Sequence, residues 1–263
     1  MNFLNEGIDI DRKTRTVSFN DNHEDDVDTS LEHNPIVQTN LIKGVEVWSL
    51  FQRKTSSSGD GNPLVYAYKN ENRWKFKSNK DKLYLEYRIQ EIVDKFIASH
   101  PGCVVIIMPS TNSLNDYIAK LIQQRASSYV FIRDVITKLT TGEVEHMALD
   151  DPKSKFIETF RGNNYAKAEK MLLRYLAEMD EIKNGSFVRY MVLDKTIRDT
   201  LDYTFKMSKS RYAEYSNLIN YNNVILLDDT ISRGQSISDA CKMIKMSYRP
   251  KSITVLTLIS KLS

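Results

Sequence analysis

At 263 residues, with 41% hydrophobic and 27% charged residues, the chain can bury one large core or a core with an appended subdomain, and its composition is that of an ordinary globular protein. A net charge of +3 gives no overall pull toward polyanions, so an anion site must be built locally. The amino terminus MNFLNEGIDIDRKTR lacks the apolar stretch of a secretory signal, no apolar run reaches the length of a membrane span, and the two cysteines, Cys103 and Cys241, form no CxxC pair; the expectation is a cytoplasmic protein with reduced, buried thiols and no membrane partner.

In chain order, GIDIDRKTRTVSF alternates around a polar turn and predicts a hairpin. The acidic run DNHEDDVDTSLE reads as a solvated loop. GVEVWSLFQRK and PLVYAYK are further strand candidates on either side of TSSSGDGN, and RWKFK has strand alternation with Trp74 and Phe76 on one face. From about Lys82 the period changes: Leu85, Ile89, Ile92 and Phe96 mark a helix that HPG at 100–102 ends. CVVIIM reads as a buried parallel strand, Leu114, Ile118, Leu121 and Ile122 as a second helix, and YVFI as a short strand ending at Arg133. Residues 137–217 form a long helix-rich section whose clearest stripe is Ala168, Leu172, Tyr175, Leu176 and Met179, with SFVRYMVL as a strand candidate inside it. A strand with the aliphatic run Val224–Leu227, a helix carrying Ile237, Cys241 and Ile244, and the strand SITVLTLI complete an α/β pattern.

The chemistry concentrates in NNVILLDDTISRGQS, residues 222–236. Aliphatic residues run into Asp228 and Asp229, and a hydroxyl-rich turn follows around Gly234. A Walker B strand would need GxxxxGK[ST], which is absent, and a receiver domain would need most of its length after the acids. A ribose-phosphate site needs what is present. Carboxylates at a strand end accept hydrogen bonds from vicinal hydroxyls, a glycine lets backbone approach an anion, and a helix start near Ser236 supplies amides and a positive dipole end.

VILLDDTISRGQS resembles the phosphoribosyl-pyrophosphate (PRPP) loop of type I phosphoribosyltransferases. Val224–Leu227 match the strand, Asp228 and Asp229 the acids, Ile231 the following apolar position, and Ser232, Gly234 and Ser236 the phosphate loop. Thr230 stands where the family has valine or isoleucine, and Arg233 where it has a threonine or small residue. Ser232 occupies the place of the base-contacting aspartate of hypoxanthine–guanine enzymes, which points away from that branch. VVIIMPSTNSLNDYIAKLI is similar to the family's pyrophosphate-binding strand, loop and helix, with Pro109–Asn112 as the loop. IRDVITK is similar to the next strand end, with Arg133 on the pyrophosphate. The Arg133 to Thr137 spacing, and more faintly PLVYAYKNENRWKF, is similar to the ComF-like branch; orotate-type enzymes carry a lysine where Asp134 stands.

The resemblance implies a parallel-sheet core over residues 81–263, a helical insertion at about 137–217, and a β-rich amino-terminal hood over residues 1–80. It also implies transfer of ribose 5-phosphate from PRPP to an unidentified base with release of pyrophosphate. Asp228, Asp229 and Arg133 would be the catalytic residues. Asp228, Asp229, Thr230, Ser232, Arg233, Gly234, Gln235 and Ser236 would bind the ribose phosphate, and Ser110, Thr111, Asn112 and Arg133 the pyrophosphate. Mg²⁺ would arrive with PRPP near Asp228, and a homodimer is implied. The alternative is a PRPP or nucleotide sensor, effector or adaptor in a larger complex with protein or nucleic acid, motivated by Arg233 and the unmatched insertion. A nucleotide hydrolase with the same ribose grip is a third reading.

Plainer readings stand beside several of these. Ser110, Thr111 and Asn112 suit a helix N-cap as well as a ligand loop, and Arg133 suits a surface ion pair. His23, His33, His100 and His146 have no metal-ligand spacing. The stretch Lys69–Lys82, with six basic and two acidic residues, fits either single-stranded nucleic acid or a hairpin with one buried face.

Overall fold

A computed structural model describes residues 6–23, 25–54, 62–110, 114–138, 205–231 and 234–261. The chain divides into two compact units, residues 1–135 with 209–263, and residues 136–208. The helical stripe at 168–179, the strand candidate at 186–193 and most of the expected insertion lie outside the described residues.

The first unit opens with the expected hairpin: β1 (Gly7–Asp11) and β2 (Thr16–Asn20) pair antiparallel, with Ile8 and Val17 fully buried. Asp11 accepts hydrogen bonds from the Lys13 and Thr14 amides, which tightens the turn. The acidic run is not wholly a solvated loop. Its β3 (Val27–Asp28) pairs with β5 (Val45–Arg53), and residues 27–30 are buried. Asp28 tolerates burial because its carboxylate accepts from the Ser30 amide (2.9 Å) and meets His33 Nδ1 at 2.8 Å. β4 (Ile36–Ile42) pairs with the start of β5, so β3 and β4 together cover one edge of that strand.

Two strand expectations are corrected. PLVYAYK belongs to helix α1 (Asn62–Lys69), where Pro63 sits in the first turn, a position helices accept, and Leu64, Val65 and Ala67 face the core. A short apolar run does not by itself separate a buried strand from a buried helix turn. RWKFK supplies only β6 (Lys75–Phe76), which pairs parallel with β2. α2 (Asn79–Ser99) begins earlier than its apolar period, because the Ser78 hydroxyl accepts from the Asp81 amide and caps it. Its stripe Leu85, Ile89, Ile92 and Phe96 is buried as expected, and Val93 is buried with it.

The remaining elements of the first unit are β7 (Val104–Ile107), α3 (Leu114–Arg125), β8 (Val130–Ile132), α4 (Lys209–Ile219), β11 (Asn223–Ile231), α5 (Gln235–Ser247) and β12 (Ser252–Lys261). In the second unit, β9 (Ile136–Lys138) and β10 (Phe205–Met207) pair antiparallel. The protein is therefore mixed α/β.

The main sheet of the first unit runs β3-β5-β12-β11-β7-β8, with β4 also on β5. The stretch from β5 through β12, β11 and β7 to β8 is parallel throughout. β5, with β3 and β4 on its edge, thus belongs to the core sheet and not to a separate hood, while β1, β2 and β6 form a sheet of their own. Val105 and Ile107 of β7, Ile225 and Leu227 of β11, and Leu256 and Leu258 of β12 pack in one core with α1, α2 and α3. Among the described residues no helix is long and apolar enough to cross a membrane.

Candidate functional site

Parallel strands need crossover helices, and the direction of each crossover decides where a sheet leaves a crevice. From β7 the chain passes through α3 to β8 on one side; from β11 it passes through α5 to β12 on the other. The two strands are neighbours, so the crossovers diverge between them. Beyond their carboxyl ends lies the topological switch point, where open α/β sheets bind ligands.

Asp228 and Asp229 stand at that step. The ladder with β7 ends at Leu227 opposite Ile107, followed by one further bond from the Met108 amide to the Leu227 carbonyl at 2.9 Å. The ladder with β12 continues to Ile231 opposite Ser260. The acids are therefore strand residues with one edge released. Alternation sends them to opposite faces: Asp229 shares a face with Ile225 and Leu227, toward α1–α3, and Asp228 shares one with Leu226.

Their surroundings differ accordingly. Asp229 is only 8% exposed. Its Oδ2 meets Lys69 Nζ at 2.7 Å and accepts from Ser110 Oγ at 3.2 Å, while its Oδ1 accepts from Thr230 Oγ1 at 2.9 Å. Lys69 is buried to the same degree, each side chain of the pair being 11% exposed. Asp228 is half-buried, and its Oδ1 accepts from the Asp229 amide at 2.9 Å.

The expected phosphate turn begins its helix as the sequence requires. Gly234 is the N-cap of α5 with φ of +73°, and no side chain among the described residues caps the helix there. The first helical bond runs from the Ser238 amide to the Gly234 carbonyl at 2.7 Å. A Cβ on residue 234 would lie 3.6 Å from Leu41 Cγ, an ordinary contact, so it is the left-handed backbone and not lack of space that calls for glycine. Ser236 lies half-buried in the first turn. Ser232, Arg233, Thr111 and Asn112 lie outside the described residues, as does the side chain of Gln235.

Ser110 and Asp229 are brought together. Arg133 follows β8 and its guanidinium pairs with Asp116 in the first turn of α3; both side chains are about half exposed, at 51% and 41%. An exposed pair of this kind contributes little to stability. Among the described residues no group of three or more His, Cys, Asp and Glu side chains could hold a metal.

Two residues at the site carry no sequence motif. Lys69 is the last residue of α1, and the strand-like pattern of PLVYAYK hides the fact that a helix ends there with a cation. Asn115, 1% exposed, donates from Nδ2 to the Met108 carbonyl at 3.3 Å, which fixes the end of β7; its Oδ1 is buried with no partner among the described residues. No sequence signal marks Asn115 apart from its place after the expected pyrophosphate loop.

No family model matches the chain, and no curated protein matches it. What fold and site define is a mixed α/β protein with paired acids and a glycine-opened helix at a switch point.

Proposed function

We propose that the switch-point crevice binds a ribose 5-phosphate carrying a diphosphate, and that the protein is a PRPP-dependent phosphoribosyltransferase. The observation that carries this reading is the step in β11, where Asp228 and Asp229 pass the end of β7 just before a left-handed glycine opens α5. Asp228, the more exposed acid, accepts the ribose hydroxyls. Asp229, held by Lys69, Ser110 and Thr230, fixes the strand end and keeps the local charge low enough for an anionic ligand. The amides of the first turn of α5, with Ser236, take the 5-phosphate together with Ser232 and Arg233 of the preceding loop. Ser110 and Arg133 face the diphosphate, along with Thr111 and Asn112.

Mg²⁺ would come with the ligand's own diphosphate, Asp228 being the protein carboxylate best placed for it, and its role when bound is to neutralise the leaving group. Transfer breaks the bond from C1 to the diphosphate oxygen, which keeps the electron pair, and forms one from C1 to a base nitrogen, which gives up its proton. The protein's share is positioning and stabilisation of the departing anion. The test is pyrophosphate release from PRPP across a panel of purine and pyrimidine bases. Base-dependent release that Asp228→Asn abolishes supports the reading; no release with any base rules out the transferase.

One observation favours a sensor instead. Arg133 is engaged by Asp116 and Asp229 by Lys69, so two expected ligand groups have protein partners. Saturable PRPP binding without pyrophosphate release would select that reading.

A further inference from the structure

The small sheet β1-β2-β6 gathers basic residues that are distant in sequence. β6 pairs parallel with β2 in the register Thr16 to Lys75 and Val17 to Phe76. The Lys75 amide donates to the Arg15 carbonyl at 3.1 Å, the Lys77 amide to the Val17 carbonyl at 2.8 Å, and the Arg15 guanidinium to the Asn72 carbonyl at 2.8 Å. Arg15, Asn72 and Arg73 all have positive φ, at 55°, 53° and 63°, so two tight turns are locked side by side. The result places Arg12, Lys13 and Arg15 of one turn beside Arg73, Lys75 and Lys77 of the other, and all are exposed.

Acidic neighbours cancel only part of this charge: Asp11, hydrogen-bonded to the Lys13 and Thr14 amides, half-buried Glu71, and Asp9, on the far strand and paired with His23, stand against six cations. Trp74 and Phe76 turn inward against the core, Phe76 meeting Tyr68 edge-on at 4.8 Å between centroids. The surface therefore offers cations without an aromatic platform. None of the exposed large apolar side chains lies within 12–15 or 71–77.

We propose that this basic edge binds a nucleic-acid backbone through its phosphates and does not read its bases. It is independent of the ribose-phosphate reading, since none of its residues lies at the switch point. The experiment is fluorescence anisotropy of the full chain with labelled 20-mers, single-stranded and duplex, of several sequences, across a salt series. Expected is binding that is indifferent to sequence and weakens steeply with salt. The R73Q/K75Q/K77Q variant should bind at least tenfold more weakly at low salt, with the slope of log K against log salt falling by about 2–3, near one unit for each phosphate no longer neutralised. R12Q/K13Q, in the other turn, should also weaken binding, with the slope falling by about 1–2 for its two cations. K242Q/R249Q/K251Q removes the same charge from exposed positions elsewhere and should leave binding unchanged. No binding at low salt, equal weakening in the control, strong base preference, or preferential capture by phosphatidylserine vesicles overturns the proposal.

Discussion

Lys69→Ala is the sharpest perturbation of the candidate site. Lys69 and Asp229 are each about one-tenth exposed and meet at 2.7 Å, so the substitution leaves a carboxylate in a poorly solvated position. Breaking such a buried pair typically costs about 3–5 kcal/mol, because the surviving charge is uncompensated. Ser110 and Thr230 still donate to Asp229, which places the cost at the lower end, about 3 kcal/mol. For a body of this size that corresponds to a fall in Tm of about 6–12 °C. The assay is thermal and urea unfolding of Lys69→Ala, Asp229→Leu and the double variant. Removing both charges should cost less than the sum of the single changes, the signature of a coupled pair. A Lys69→Ala loss below about 0.5 kcal/mol, the level of an ordinary surface substitution, would refute the claim that this ion pair ties α1 to β11.

Gly234→Ala places a side chain on a backbone with φ of +73° and should cost about 1–2 kcal/mol in unfolding measurements, with little added from packing. Asp28 is pushed up by burial, but the Ser30 side chain and amide and the His33 ring hold its carboxyl below the ordinary range. Its folded pKa lies below its unfolded one, so its contribution is present above about pH 4 and drains as pH falls through the folded value. Asp28→Asn should accordingly show a flatter loss of stability with acid than the wild type. Burial raises the thiol of Cys103 and pushes that of Cys241 up to about 12. Both should resist a thiol reagent in the native protein and react only on unfolding, as thiol titration in and out of denaturant will show.

The sequence was most legible where a period ran uninterrupted. The α2 stripe, the aliphatic runs of β7 and β11 and the hairpin of β1 and β2 all lie where their patterns placed them. It was least legible where side-chain chemistry outweighed local pattern. Val27 and Asp28 looked like part of a solvated acidic run because the partners that make burial tolerable, Ser30 and His33, do not register as a pattern. β5 looked like part of a hood because nothing local tells a strand which neighbour it will join, and its parallel partner β12 lies at the other end of the chain. At the site, Asp228, Asp229 and Gly234 could be singled out from residue type and spacing. The Lys69–Asp229 pair could not, since a contact across so much chain depends on how α1 packs. Alternation also divides the two acids: adjacent in sequence, they face opposite sides of the sheet.

In the proposed function, the crevice between β7 and β11 holds a ribose phosphate through the acids of β11 and the opening turn of α5. Isothermal titration of PRPP with Mg²⁺ into the wild type, Asp228→Asn and Gly234→Ala tests it most directly. Expected is one saturable site per chain, weakened at least tenfold by each substitution and competed by ribose 5-phosphate. Absence of binding to the folded wild type, or affinity unchanged in both variants, would contradict it.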